Sequence, residues 1–572
     1  MRSFQIPSQK YGVLAAIAVF LVGSIAQIFK EGWNIITQSV FWYGLYGWLA
    51  VAIVVGYLVY LILSISGLSR SISPKINQES MATTSARTVS GGKLPPWEVG
   101  DLPAPPKFNL GSIFSTIGPG AILLGTSIGS SEWLLGPAVT ARYSGYLLWL
   151  IPVSIILQAI INTESIRYTM YTGEPIYTGF MRTAPSPQFW AFFYITLTFL
   201  QLIWPGWVSA AATALTALFI GAVPGPEHGY LIKIFGLLWF SLNAVVIIFG
   251  DKIERTLEKI QWFVVVAILL FLAAIVSLYT DSSTYGKAIA GLVNFGVISP
   301  GLDWFLVSAF VSDAGAGGVI NGAISNWYRD KGMAMGRTVG YIPSLVGGRK
   351  LSLKRNGQVF RLTPENRQRW RDWWKFVDVD QYLVWGVGCF LGIMLPALIT
   401  LQFIPFGTEF VNQFGIAVYQ AQYIVLATGN EFLWNITLMI GFWILFSTQI
   451  GVTDAFVRIL TDIIWRHNPE NTSEEDVRFI YYGVFLVFML SGAFILFLEV
   501  KPLLLILIGA NIAGLNMAII SLHILYVNRI LLPAELRPPL WREFVVFSGV
   551  IFYGFLFCKA APALFNQLFP YV

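Results

Sequence analysis

The chain has 572 residues, of which 56% are hydrophobic, 15% aromatic and only 12% charged. Soluble domains carry about a quarter charged residues, so this chain has too few solvated groups to cover a globular surface. High apolar content excludes disorder, and no G-x-y period supports a fibrous fold. The expected class is therefore an all-α polytopic membrane protein. Cys389 and Cys558 both lie in apolar runs, which argues against a disulfide framework or a cysteine-based metal site. His228, His467 and His523 form no clustered ligand spacing. No nucleophile–base set stands out, so enzymatic chemistry is not expected, and no cofactor is implied.

A bilayer core about 30 Å thick needs roughly 20 apolar residues per helix. Windows of that kind fall at 12–29 and 41–66, before a polar, Pro/Gly/Ser-bearing stretch at 67–112 that reads as a linker with little intrinsic structure. Eleven further windows follow, near 113–141, 146–165, 189–221, 230–249, 256–279, 302–327, 381–404, 432–453, 479–498, 503–527 and 544–565. The first window has a loose cleavage-like Ser24-Ile25-Ala26, but charge placement favours a retained anchor over a signal peptide. The loop 329–377 carries 12 of the 36 basic residues against Asp330, Glu365 and Asp372. The positive-inside rule then puts this loop, the linker and the N-terminus in the cytoplasm. Thirteen spans leave the C-terminus outside, in a cell (inner) membrane. Arg369-Trp370-Arg371 and Trp373-Trp374-Lys375 suit an ordinary loop lying against anionic lipid headgroups. The basic, Trp-interleaved pattern could also touch RNA or an acidic partner; the reading adopted is lipid, with no nucleic acid.

Two windows do not read as regular helices. The third contains Gly118-Pro119-Gly120, then Gly125-Thr126-Ser127-Ile128-Gly129-Ser130-Ser131-Glu132. The eighth contains Ser312-Asp313-Ala314-Gly315-Ala316-Gly317-Gly318, with Asn321 and Asn326 beyond. Each glycine disfavours helix by about 1 kcal/mol. Unwound backbone at membrane depth is tolerated only where protein buries it or a wet cavity borders it. Each window also holds an acid, and an intramembrane acid is functional by default. The bland alternatives are small-residue helix packing, a Glu132 that pairs with Arg142 or caps a half-helix, and an Asp313 that accepts hydrogen bonds from the unwound segment. Breaks five spans apart match inverted five-helix repeats, in which each repeat opens with a broken helix.

These residues resemble the Nramp family of divalent-metal transporters, which share the LeuT-like fold. Gly118-Pro119-Gly120 is similar to the opening of the family's first core helix, and the likeness runs without a gap to Tyr146-Leu147-Leu148-Trp149. Tyr171-Thr172-Gly173, Glu254-Arg255-Thr256-Leu257-Glu258-Lys259 and the polar Ser447-Thr448-Gln449-Ile450-Gly451-Val452-Thr453 extend it to roughly 113–527. The resemblance implies a LeuT-like 5+5 inverted-repeat core with two extra N-terminal helices and one extra C-terminal helix. Its parts would be two helices in 1–66, a cytoplasmic linker at 67–112, a first repeat at 113–279, a second at 301–527 and a last helix in 528–572.

The chain departs from the family where the chemistry lies. Gapless alignment puts Gly129, Ser130, Ser131 and Glu132 where the family has Asp-Pro-Gly-Asn, and the region near Asp313–Asn321 lacks the family's Met and His. Without thioether or imidazole, the expected site is an all-oxygen one suited to Mg²⁺ or Mn²⁺. The candidate ion-binding residues are Gly129, Ser130, Ser131, Glu132, Asp313, Gly315, Gly317, Gly318 and Gln449. Glu132 and Asp313 would be the metal ligands, and Gly125, Thr126 and Asn321 would mark the helix breaks. The expected function is secondary active import of a divalent cation, with proton coupling. The alternative is a transporter of an amino acid or carboxylate, whose anionic group would use free N–H groups at the breaks. A receptor or scaffold with the basic loop as its output is the third class considered. Glu164 and Arg167 are expected to pair near a cytoplasmic helix end, and Asn511, Asn516 and His523 are lesser polar candidates.

Overall fold

A computed structural model describes residues 88–248, 253–296, 301–342, 353–408, 416–467, 473, 476–498 and 500–568. The windows at 12–29 and 41–66, and the linker up to residue 87, lie outside the described residues. Within them the chain is almost entirely helical. A short first segment forms strands β1 (Thr88–Val89) and β2 (Trp97–Gly100). Helix α1 (Leu110–Thr116) follows, and then α2 (Pro119–Ser127), a π-helical turn (Ser131–Leu135) and α3 (Gly136–Tyr143). Next come α4 (Leu150–Thr172), α5 (Ile176–Met181), α6 (Pro187–Leu202), α7 (Gly206–Ile220), α8 (Gly229–Ile248) and α9 (Ile253–Tyr279). The middle of the chain holds α10 (Ser282–Val293), α11 (Trp304–Asp313), α12 (Val319–Lys331) and α13 (Gly336–Val339). Strand β3 (Gln358–Phe360) precedes α14 (Pro364–Asp378), which runs through a π-helical stretch into α15 (Gly388–Phe403). The last helices are α16 (Ile416–Thr428), α17 (Phe432–His467), α18 (Asp476–Phe497), α19 (Pro502–Leu531) and α20 (Leu540–Leu568).

Nine helices among the described residues are long and apolar enough to cross a membrane, and Leu110–Thr116 with Pro119–Leu147 forms a tenth, bent by 60°. Helices α11 and α12, interrupted at 314–318, are each too short to cross alone. The chain is thus a multi-pass membrane protein. Helices α4, α17 and α19 are mostly buried inside the bundle, whereas α8, α9, α18 and α20 bury only about a third of their apolar windows. The outer helices turn Leu, Ile and Phe outward, as lipid contact requires. Helices α10 and α16 were not anticipated. They fill the intervals between successive spans and are too short to cross on their own.

The linker is not structureless where it is described. Strand β1 pairs antiparallel with β2, and β2 pairs parallel with β3, with Val99 opposite Val359. The partner strand lies in the basic loop, so no local reading of 67–112 could supply it. Helix α14 starts with the Thr363 hydroxyl accepting from Asn366 N at 3.2 Å and with Pro364 in its first turn. Asn366, Trp370, Trp373 and Phe376 make its buried stripe, and its charged residues face away. Trp370 and Trp373 therefore sit in protein.

The end of the bundle that carries the basic loop is held by buried charge. Arg182 pairs with Glu174 at 2.6 Å, Glu174 with Arg466 at 3.9 Å, and Arg466 with Asp462 at 3.5 Å. Asp462 continues to Arg329 at 2.6 Å, Arg329 to Asp330 at 2.6 Å, Asp330 to Arg458, and Arg458 to Asp454 at 2.5 Å. Four cations alternate with four anions, and all eight are buried. The chain ties the α5–α6 connection and the end of α4 to α12 and α17. Burial pushes the Glu174 carboxyl up, but the Arg182 guanidinium overrides it and holds the group down at about 2. Such pairs add little net stability because desolvation offsets attraction, yet unpairing one partner is strongly destabilising. Glu164, Arg167 and Arg542 form a second buried cluster, with Glu164–Arg167 at 2.7 Å and Glu164–Arg542 at 2.5 Å. Asp330→Ala, which takes one of two carboxylate partners from Arg329 and from Arg458 and leaves the row with an excess of buried positive charge, should lower stability by about 3–5 kcal/mol. Lys375→Ala, which removes an exposed partner of Asp372, should change it by under about 1 kcal/mol. Thermal unfolding in detergent measures both.

Candidate functional site

Both irregular windows are broken in the structure. Helix α2 begins at Gly118, where Pro119 occupies the first turn. Its orphan N–H groups are met from far away: Gly118 N and Gly120 N donate to the two Asp380 oxygens at 3.2 and 2.8 Å. Tyr328 and Gln381 also donate to that carboxylate, at 2.7 and 3.0 Å. Gly125 and Thr126 lie inside α2, so the break starts later than expected, at Ile128. Gly125 is a packing position, because any side chain there would collide with Gln261. The Thr126 hydroxyl bonds back to Ile122 O at 2.7 Å.

From Ile128 to Leu135 the first break presents its acid. The backbone leaves the α-helix at Ile128 and resumes through the π-helical turn that carries Ser131 and Glu132. Such turns re-aim side chains and are frequent at functional sites. The Glu132 carboxylate accepts from Gly129 N at 2.9 Å through one oxygen. Its other oxygen, Oε1, is buried and has no hydrogen-bond partner among the described residues. The Gly315 amide and the Cys389 thiol also lie within electrostatic reach of Glu132.

The second break is a run of left-handed glycines. Gly315, Gly317 and Gly318 have φ of 115°, 76° and 58°, a region that only glycine visits freely. Gly318 also lies against Gln201 and the Ala513 backbone, with no room for a methyl group. Asp313 ends α11 at the mouth of this run and is bonded by the Ser130 hydroxyl of the first break. Ser131 donates to Phe310 O at 3.1 Å. The two breaks predicted from separate windows thus touch, with Ser130, two residues before Glu132, bonded to Asp313.

Two glutamines replace the missing helix bonds. Gln158 on α4 accepts from Ala316 N at 3.0 Å, Gly317 N at 3.2 Å and Asn321 Nδ2 at 3.1 Å, and donates to Ala314 O at 2.7 Å. Gln201 on α6 accepts from Val319 N at 3.0 Å and Asn516 Nδ2 at 2.8 Å, and donates to Gly317 O at 3.0 Å. Thr448 on α17 donates to Ile128 O at 2.9 Å, and Gly129 packs so tightly against it that a methyl would collide. Asn321 sits in α12 beyond the break and bonds Asn162 at 2.8 Å.

Gln449 contributes differently from what was expected. Its amide donates to Thr453 at 3.3 Å, its Oε1 is unpartnered among the described residues, and the neighbouring Thr448 makes the contact with the break. Arg142 pairs with Asp303 at 3.0 Å, so it is not bonded to Glu132. Asn511 and His523 bind other helices: Asn511 donates to Phe305 O at 2.9 Å, and His523 bonds Tyr194 and Thr183 at 2.8 and 2.9 Å. Gln158, Asn162, Gln201 and Asp380 were missed by sequence reasoning. The first two are one helical turn apart in an apolar window, which was the available signal. Among the described residues no three His, Cys, Asp or Glu side chains form a metal-binding cluster. A cation here would draw on Glu132 and Asp313, with Ser130 and Ser131 hydroxyls beside them.

Solved structures of the same fold include a histidine-to-alanine mutant of the Eremococcus coleocola manganese transporter, with a TM-score of 0.59 and 13% identity over 82% of this chain and 90% of that one. The same transporter bound to an aromatic bis-isothiourea substituted compound matches with a TM-score of 0.59 and 12% identity over 81% and 90%. Mhp1, a nucleobase-cation-symport-1 family transporter, gives a TM-score of 0.43 and 12% identity over 80% and 94%. No protein-family model and no curated protein matches the sequence. At these identities the likeness is one of fold, and it bears out the expected architecture of a polytopic helical bundle shared with the manganese transporter. Gln158→Ala should leave the Ala316 and Gly317 amides unpaired and Ala314 O with only the Ser154 hydroxyl, at about 1–3 kcal/mol for each unpaired buried amide. Hydrogen exchange should then speed up at Ala316 and Gly317, together with a lower melting temperature.

Proposed function

We propose that the chain is a secondary active transporter that carries a divalent cation inward in exchange with, or together with, protons. The observation that carries this reading is the meeting of the two helix breaks, where Ser130 of the first bonds Asp313 of the second and Glu132 Oε1, two residues on, is left without a partner among the described residues. Two carboxylates balance a divalent charge. Hydroxyls and carboxylates are hard donors, and Mg²⁺ in particular binds through one or two carboxylates while keeping several waters. Mn²⁺ suits the same oxygen set. The manganese transporter that shares the fold supports the same class of cargo. A buried acid that loses its proton when the cation arrives gives a simple route to coupling.

The organic-solute reading has less support. An anionic substrate group would need free N–H groups at the breaks. The amides of Ala316, Gly317 and Val319 already donate to Gln158 and Gln201, and Gly129 N donates to Glu132. The two inverted repeats would be 113–279 and 301–527, with the basic loop and N-terminus inside, the C-terminus outside, and loop 329–377 against anionic headgroups. This orientation rests on the positive-inside rule.

Uptake into proteoliposomes tests the proposal. Mg²⁺ or Mn²⁺ should enter with a measurable change in lumenal pH, while amino acids should not. Glu132→Gln and Asp313→Asn should each reduce cation flux by about tenfold or more, the effect of losing roughly 1.4 kcal/mol of binding or transition-state stabilisation. Divalent flux that survives both substitutions would sink the carboxylate site. Amino-acid uptake without any divalent response would replace the cation by an organic solute.

A further inference from the structure

Residues 88–103 run as a strap across the end of the bundle that carries the basic loop. Arg182, fixed by Glu174, donates to the strap carbonyls of Gly91 and Pro95, both at 2.9 Å, and Lys93 N donates to Arg182 O at 2.9 Å. The Trp97 ring lies 4.6 Å from the Arg182 guanidinium and against the rings of Tyr168 and Tyr171. Further along, Arg369 and Trp373 of α14 donate to Leu102 O and Pro103 O at 2.7 and 2.8 Å. Trp97 and Leu102 have no exposed surface.

The basic loop grips the same anchor from its other side. Gly357 N, just before β3, donates to Glu174 Oε1 at 2.7 Å, and Arg466 donates to Arg355 O. Strap and loop therefore meet in the β2–β3 pairing and share the Glu174–Arg182 pair, which begins the buried ion chain. Both are also wired to the site. The strap leads through α1 and a 60° bend into α2, the first half of one broken helix. The loop leaves α12, the second half of the other. One small sheet thus ties together the two chain segments that lead to the two breaks.

We propose that the strap is a latch that holds the basic-loop end of the bundle shut, and that it must part from β3 and Arg182 before that end opens. Parting exposes Trp97 and Leu102 and frees the carbonyls that Arg182 holds, so the latch favours the closed arrangement by burial and by charge-assisted hydrogen bonds. Because Arg182 keeps Glu174 ionised far below neutral pH, the latch is not a switch at physiological acidity.

The test needs no knowledge of the cargo, so its failure is separable from failure of the cation reading. Cys389 is buried near Glu132, and Cys558 is exposed. In full-length Cys558→Ser protein in sealed vesicles, a membrane-impermeant maleimide is added on the basic-loop side. Labelling of Cys389 is then followed by peptide mass spectrometry. Trp97→Ala and Arg182→Gln should each label at least severalfold faster than the parent. Val99→Cys with Val359→Cys, oxidised across the register pair, should label severalfold more slowly and regain the parent rate on reduction. The cross-linked protein guards against misfolding of the weakened variants, because it acts in the opposite direction. An unchanged rate after cross-linking overturns the latch. So does a Cys389 that stays equally unlabelled in the parent and in both weakened variants.

Discussion

In a lipid environment every backbone N–H and C=O must find a partner inside the protein. That demand shapes this chain more than any other. A continuous helix meets it locally, and most spans here are of that kind. Where α2 and α11 stop, the demand passes to side chains on other helices. Gln158 and Gln201 take over the backbone of 314–319, Thr448 takes the Ile128 carbonyl, and Asp380 takes the start of α2. Each surrogate fixes its helix against the break it serves. The positions of Glu132 and Asp313 therefore depend on groups that never touch a cargo.

The same demand explains which polar groups are left over. The amides of Gly129, Ala316, Gly317 and Val319 have side-chain acceptors, whereas the side-chain oxygens Glu132 Oε1 and Gln261 Oε1 have no partner among the described residues. Occupied amides beside a spare carboxylate oxygen are the balance on which the proposed cation site rests. Charge is distributed with similar economy. A chain with 12% charged residues still commits eight of them to one buried alternating row, which joins helices distant in sequence at the end where the strap closes over them.

Much of this was legible in the residues. Ten of the eleven windows beyond 113 appear as crossing elements, the two glycine-rich windows are broken, and Ser130 of the first break bonds Asp313 of the second. Periodicity, glycine content and misplaced charge are local properties and can be read in order. Gln158 and Gln201 were not found, because an amide in an apolar run carries no mark of which carbonyl it faces. The break in the first window was placed at Gly125, three residues early, since glycine content alone does not separate a packing glycine from an unwinding one. The strap read as unstructured because its partner strand lies in another loop.

The sequence alone determined the class of the protein, the spans beyond the linker, the two interruptions and the residues that carry charge into the membrane. These follow from transfer energies and backbone preferences, which depend on a residue and its neighbours along the chain. Only the tertiary structure decided which side chains complete the broken helices, that Arg142 serves Asp303 and not Glu132, and that linker and basic loop share a sheet. Those pairings are satisfied across space, between residues hundreds of positions apart, and no local pattern records them.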